Sequence, residues 1–167
     1  MYMDDRRALR ERFDDGDHVS PQGMPVTHRR HWYLATDGSM RDNGARLGAI
    51  LETTTGQAVG RWYRHVTEPD NNAAEVAALH FGLDRAAEFI GPRDRIGILL
   101  DHDGLASAMA ACVTPGVPSP RRPPCQSASP HHWGGIRSHI AQRHDVRVAL
   151  VDSGENPAHV LASDRVW

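Results

Sequence analysis

The stretch Asn72–Ile90 constrains this chain more than any other. Val76, Leu79, Leu83, Ala86 and Ile90 recur at steps of three and four, along one face of a helix. Gly91-Pro92 stops it. The apolar run Ile96–Asp101 comes next and is short enough to be a buried strand. A long helix ahead of such a strand implies a crossover connection.

Upstream, Trp32, Leu34 and Thr36 alternate in a short strand that is expected to end at Asp37-Gly38-Ser39. Arg46–Thr53 and Ala58–Val66 are strand-like, with Thr55-Gly56-Gln57 as a hairpin turn between them. Downstream, Leu105–Cys112 reads as a short helix, and the proline-rich segment 114–130 as a loop or mobile insertion. His132–Arg143 is amphipathic, with Trp133, Ile136 and Ile140 on one face; Val146–Asp152 is a last strand and Asn156–Ser163 a last short helix. Residues 1–30 are poor in apolar side chains and broken at Gly16, Pro21 and Pro25, which predicts a flexible arm or a loosely docked helix. The remaining 31–167 form one α/β (α+β) domain, a five-stranded mixed sheet flanked by helices.

Composition narrows the function classes. At 167 residues the chain is one domain's worth. A net charge of −2 excludes a protein that grips nucleic acid by bulk positive field. All 19 basic residues are arginine, which suits phosphate contacts but also follows from GC-rich codon usage. No apolar run approaches the roughly 18 residues of a membrane span. No apolar segment follows the first residues, so a secretory signal is not expected and a cytoplasmic monomer is the simplest expectation. Cys112 and Cys125 do not make a disulfide framework. Together with His131, His132, His139 and His144 they raise a zinc reading, but the spacing lacks paired knuckles apart from His139 and His144.

Three acids sit where these elements join: Asp37, Glu75 and Asp101. Each has an ordinary explanation. Asp37-Gly38 is a common turn pair, Asn72 with Glu75 has capping-box spacing, and Asp101 or Asp103 could cap the following helix. Jointly they point elsewhere. If the first and fourth strands are neighbours, the three carboxylates converge, repel one another and require a cation. Hard divalent ions take such oxygen ligands.

The segments Tyr33-Leu-Ala-Thr-Asp37-Gly38-Ser39, Asn71-Asn72-Ala-Ala-Glu75 and Ile96-Gly-Ile98-Leu-Leu-Asp101 together resemble type I ribonuclease H, over roughly residues 31–163. The resemblance implies a ribonuclease-H-like fold and a metal-dependent endonuclease cutting the RNA strand of RNA–DNA hybrids. Two ions, Mg²⁺ or Mn²⁺, would act in the active complex. Asp37 would bridge them, Glu75 would hold one, and Asp101 would help position the attacking water. The products would be a 3′-hydroxyl and a 5′-phosphate. Asn71, Asn72 and Ser39 fall where that family contacts the hybrid, while Trp133, Arg137 and Arg143 are candidates for the DNA strand.

The chain departs from the family pattern in three places. In Asn156-Pro-Ala-His159-Val-Leu-Ala, His159 stands at the fourth ligand position, where an Asp is usual. Imidazole suits Mn²⁺ or Zn²⁺ better than Mg²⁺. Otherwise His159 is an ordinary helix residue and Asp152, Glu155 or Asp164 completes the site. The loop Asp152–Asn156 lacks the family's mobile histidine, so Glu155 is a candidate substitute. The proline-rich 114–130 replaces the basic handle, with Arg121-Arg122 its charges. These departures keep a rival open: a catalytically weak module of the same fold that binds nucleic acid or a protein partner.

Overall fold

Tyr33 and Ala35 on one side of a long strand, Leu34 and Thr36 on the other, are all buried, so the sheet they belong to is covered on both faces. The computed structural model describes residues 7–19 and 29–163. In chain order the elements are α1 (Leu9–Asp15), β1 (Asp17–His18), β2 (Trp32–Arg41), β3 (Gly44–Thr53), β4 (Ala58–Val66), α2 (Asn71–Ala86), β5 (Arg95–Leu100), α3 (Asp103–Val113), α4 (Pro130–Ala141), β6 (Asp145–Leu150) and α5 (Ala158–Ala162). A 3-10 turn at Ser153–Glu155 leads into α5.

The sheet order is β1-β6-β5-β2-β3-β4. β2, β3 and β4 form an antiparallel meander. β5 lies parallel to β2 and β6 parallel to β5, as the crossover reading requires. The five expected strands are present, and the two-residue β1 adds a sixth along β6. The helical α2 face carrying Val76, Leu79, Leu83 and Ala86 joins Leu34, Leu47, Ala49, Leu51, Ile96 and Ile98 in the larger core. Among the described residues no helix is long and apolar enough to cross a membrane.

The reading of 1–30 as a flexible arm is corrected for its described part. Leu9 and Phe13, one helical turn apart, are buried with Tyr33, Ala35, Ile50, Leu99, Ala149, Ala158 and Leu161 in a second core. Without them that sheet face would meet water. Leu9 N donates to Glu52 Oε1 at 2.8 Å, and Arg12 Nη1 donates to Glu155 Oε2 at 3.0 Å. Arg30 is also buried, its guanidinium paired with both Asp145 oxygens at 2.7 Å. The docked-helix alternative is the one the structure shows, held by Leu9 and Phe13. Residues 1–6 and 20–28 of the arm lie outside the described residues.

Further boundaries differ from expectation. β2 does not end at Asp37-Gly38-Ser39 but stays paired to β3 as far as Arg41. The antiparallel partner continues past the turn-like pair and holds it extended. The cap of α2 is Asp70, whose side chain accepts from Ala73 N at 2.9 Å, rather than Asn72. His102, not Asp101 or Asp103, caps α3, its Nδ1 accepting from Leu105 N at 3.0 Å. The proline-rich loop is tied down: Ser127 Oγ donates to Asp70 Oδ1 at 2.8 Å and Ala128 is buried.

Candidate active site

Register places the acids. Ala35 of β2 pairs with Leu99 of β5. Asp37 and Asp101 each follow two residues later, so they stand at the same level of neighbouring strands, Asp37 within β2 and Asp101 just past β5. β5 stops there while β2 runs on, which opens a notch at the carboxyl ends of the parallel strands. Glu75 reaches the notch from the start of the second turn of α2. Gly38 permits this approach, because a Cβ there would collide with the Ala74 carbonyl.

Asp37, Glu75 and Asp101 each place a carboxylate oxygen so that all lie within 4.8 Å of one another. Burial, then the charge of Asp37, raises the pKa of Glu75 well above the carboxylate range, although the Gly38 amide donates to it. Burial and Asp37 also raise Asp101, opposed by a hydrogen bond from Asn156. Crowded anions that hold protons this tightly are short of a cation. An all-oxygen donor set of this charge fits hard divalent ions.

His159, the second residue of α5, places Nδ1 at 2.8 Å from Asp37 Oδ2. The imidazole is 55% exposed and the carboxylate 4%, so the ring covers Asp37 from the solvent side. Of the alternatives to His159, Glu155 is engaged by Arg12 and Arg7. That pairing also turns it away from the proton-moving role considered for it. Asp152 is exposed near those arginines in a cleft of about 320 Å³, and Asp164 lies outside the described residues.

Asn156 is the site residue whose part the sequence reading missed, since it entered only as a letter of a motif. It is buried; Nδ2 donates to Thr36 O at 2.9 Å and to Asp101 Oδ2 at 3.2 Å. Its Oδ1 accepts from Ala158 N at 3.1 Å. One side chain thus ties the start of α5 to β2 and to the third acid. A buried amide with every contact satisfied is stiff.

Asn71 and Asn72 stand exposed at the rim. Asn71 Oδ1 accepts from Met40 N at 3.0 Å. His102 Nδ1 already accepts a backbone N–H, so its Nε2 carries the proton and donates to Asn72 Oδ1 at 2.8 Å. Both asparagines therefore keep their NH₂ ends for other partners. Ser39 is half-buried on β2, two residues beyond Asp37.

Trp133 is corrected. It is fully buried, with its indole N–H donated to Pro120 O at 2.8 Å, and cannot stack on or contact a nucleic-acid strand. Its place on the apolar face of α4 decided that. Arg137 is half-buried on α4, close enough to Cys112 for its charge to act on the thiol, and is no part of the acid cluster. Arg143 Nη1 donates to Ile90 O at 3.1 Å, an end-of-helix contact.

No family model matches the sequence, and no curated protein does. Solved structures do match. The N-terminal RNase H domain of a Mycobacterium tuberculosis protein is 21% identical, with 81% of this chain and 92% of that chain aligned and a TM-score of 0.63. RNase H1 from the halophilic archaeon Halobacterium salinarum is 22% identical, covering 81% and 96%, with a TM-score of 0.62. LC11-RNase H1, solved in complex with an RNA/DNA hybrid, is 19% identical, covering 78% and 92%, again at 0.62. The chain has the type I ribonuclease H-like fold.

Proposed function

We propose that this protein is a metal-dependent endonuclease that hydrolyses the RNA strand of RNA–DNA hybrids to a 3′-hydroxyl and a 5′-phosphate. The convergence of Asp37, Glu75 and Asp101 at the notch carries this reading. A module that only bound nucleic acid would gain nothing from three crowded carboxylates beside a polyanion. The fold likeness to an RNase H1 solved with a hybrid supports the substrate class.

Asp37, Glu75, Asp101 and His159 would hold the ions, Mg²⁺ or Mn²⁺, two in the active complex. Bound ions of this kind lower the pKa of a water and stabilise the oxygens of an in-line displacement. The chain itself supplies orientation. Asn156 fixes the direction of the Asp101 carboxylate, and His159 fixes that of Asp37. The NH₂ groups of Asn71 and Asn72, with the Ser39 hydroxyl, meet 2′-hydroxyls, the group that separates RNA from DNA.

Labelled RNA–DNA hybrid, duplex RNA and duplex DNA, each incubated with Mg²⁺, Mn²⁺ or EDTA, test the proposal. Cleavage confined to the RNA strand of the hybrid and abolished by EDTA is the expected result. Tight hybrid binding without cleavage by either ion would overturn it in favour of a binding module.

A further inference from the structure

On the far side of α2 from the acids, the chain gathers a second set of metal-ligating side chains. His80, His131 and His132 each place a ring nitrogen so that all three lie within 4.8 Å of one another. His80, Asp84 and His139 form an overlapping group. α2 contributes His80 and Asp84 one turn apart; α4 contributes the other three. Gly135 allows the approach, because a Cβ there would run into the His80 ring.

The carboxylates beside these rings indicate what fits between them. His80 Nε2 lies 3.4 Å from Asp84 Oδ2, and His132 Nε2 lies 3.5 Å from Glu68 Oε1. A carboxylate facing Nε2 favours the tautomer with its proton there. The two Nδ1 atoms face each other at 2.9 Å, a distance at which one ring donates to the other when no metal is bound. With both protons on Nε2, beside the carboxylates, both Nδ1 lone pairs are turned toward the space between the rings and can take a cation. Carboxylate–histidine pairs of this form are the usual outer support of metal-bound imidazoles.

Glu68 supplies an independent sign. Its side chain is 9% exposed, yet among the described residues Oε1 has no hydrogen-bond partner, the 3.5 Å approach of His132 Nε2 not making one. A buried carboxylate oxygen left this way is costly, and a cation on the other side of the His132 ring would offset its charge.

We propose that His80, His131 and His132 bind a borderline transition-metal ion of the Zn²⁺ class, with Glu68 and Asp84 as the outer carboxylates that orient the rings. Ligand nitrogens around tetrahedral zinc stand about 3.3 Å apart for bonds of about 2.0 Å, so small side-chain rotations bring the set into range. This site is separate from the catalytic carboxylates and staples α4 to α2. Cys112, Cys125 and His144 have no part in it.

Zn²⁺ and Co²⁺ titrations of the full chain test this, read by competition with a chromophoric chelator and by the visible Co²⁺ spectrum. To remove the acid cluster, the titrations use the Asp37→Asn, Glu75→Gln background. The expected result is one equivalent of Zn²⁺ and a tetrahedral Co²⁺ spectrum without thiolate charge transfer. His80→Gln with His132→Gln should abolish both, and Glu68→Gln should weaken binding about 10–100-fold. Should the double histidine variant fail to fold, exposed His131→Gln decides alone through an affinity loss of at least about tenfold, roughly 1.4 kcal/mol. Unchanged affinity in His131→Gln, thiolate bands, or no Zn²⁺ bound in the acid-free background would each overturn the proposal. None of these readouts depends on cleavage.

Discussion

His159 Nδ1 meets Asp37 Oδ2 at 2.8 Å, joining the buried carboxylate of β2 to a helix 122 positions later in the chain. The contact closes the notch on its solvent side. It also makes α5 responsible for the direction in which Asp37 points.

Asp37→Asn keeps the shape of the side chain and removes one of three crowded charges. Hybrid cleavage should fall by orders of magnitude. Stability without metal should be unchanged or higher, because repulsion on Glu75 and Asp101 is relieved. Steady-state cleavage and chemical denaturation of the same preparation check both halves.

The acid cluster also sets a pH dependence. Asp101 is pushed up to about 6 and Glu75 is raised further, each by burial first and then by Asp37. An unfolded carboxyl titrates near 4, about where both groups would release protons without the fold. The native state therefore holds more protons than the unfolded one above that value, and stability falls as pH rises through 6. Melting temperature in EDTA should decline from pH 4.5 to 7.5. Added Mg²⁺ should raise it more at the upper end, since the cation competes with those protons.

His159 variants separate a ligand from a cover. If His159 contributes to the metal site, His159→Asp should shift the metal preference from Mn²⁺ toward Mg²⁺, and His159→Ala should lose activity with either. Cleavage measured against concentration of each ion, for all three proteins, reads the difference. Identical curves would remove His159 from the site.

The docked arm makes a prediction about the core. A chain starting at Arg29 uncovers Tyr33, Ile50, Leu99 and Ala149, and should lose cooperative unfolding or melt far lower. Phe13→Ala, in the intact chain, should cost about 3 kcal/mol. Urea denaturation measures it.

Much of this protein was legible in one dimension. The three- and four-residue steps of Val76, Leu79 and Leu83 determined α2, and the alternation of Trp32, Leu34 and Thr36 determined a strand at β2, because helix and strand periods are properties of the local backbone. The acids were visible as a set through their places at element ends. Tertiary contacts decided the rest. Whether α1 docks depends on an apolar patch made by Tyr33, Ile50, Leu99 and Ala149 from four separate strands, which no local window contains. Trp133 looked like a ligand contact and is core, since the apolar face it shares with Ile136 and Ile140 packs inward. His80 carried no signal at all; only the packing of α2 on α4 sets it against His132, 52 residues away. Asn156 likewise gains its meaning from Thr36 within β2 and Asp101 just past β5, which meet it only when the sheet is formed.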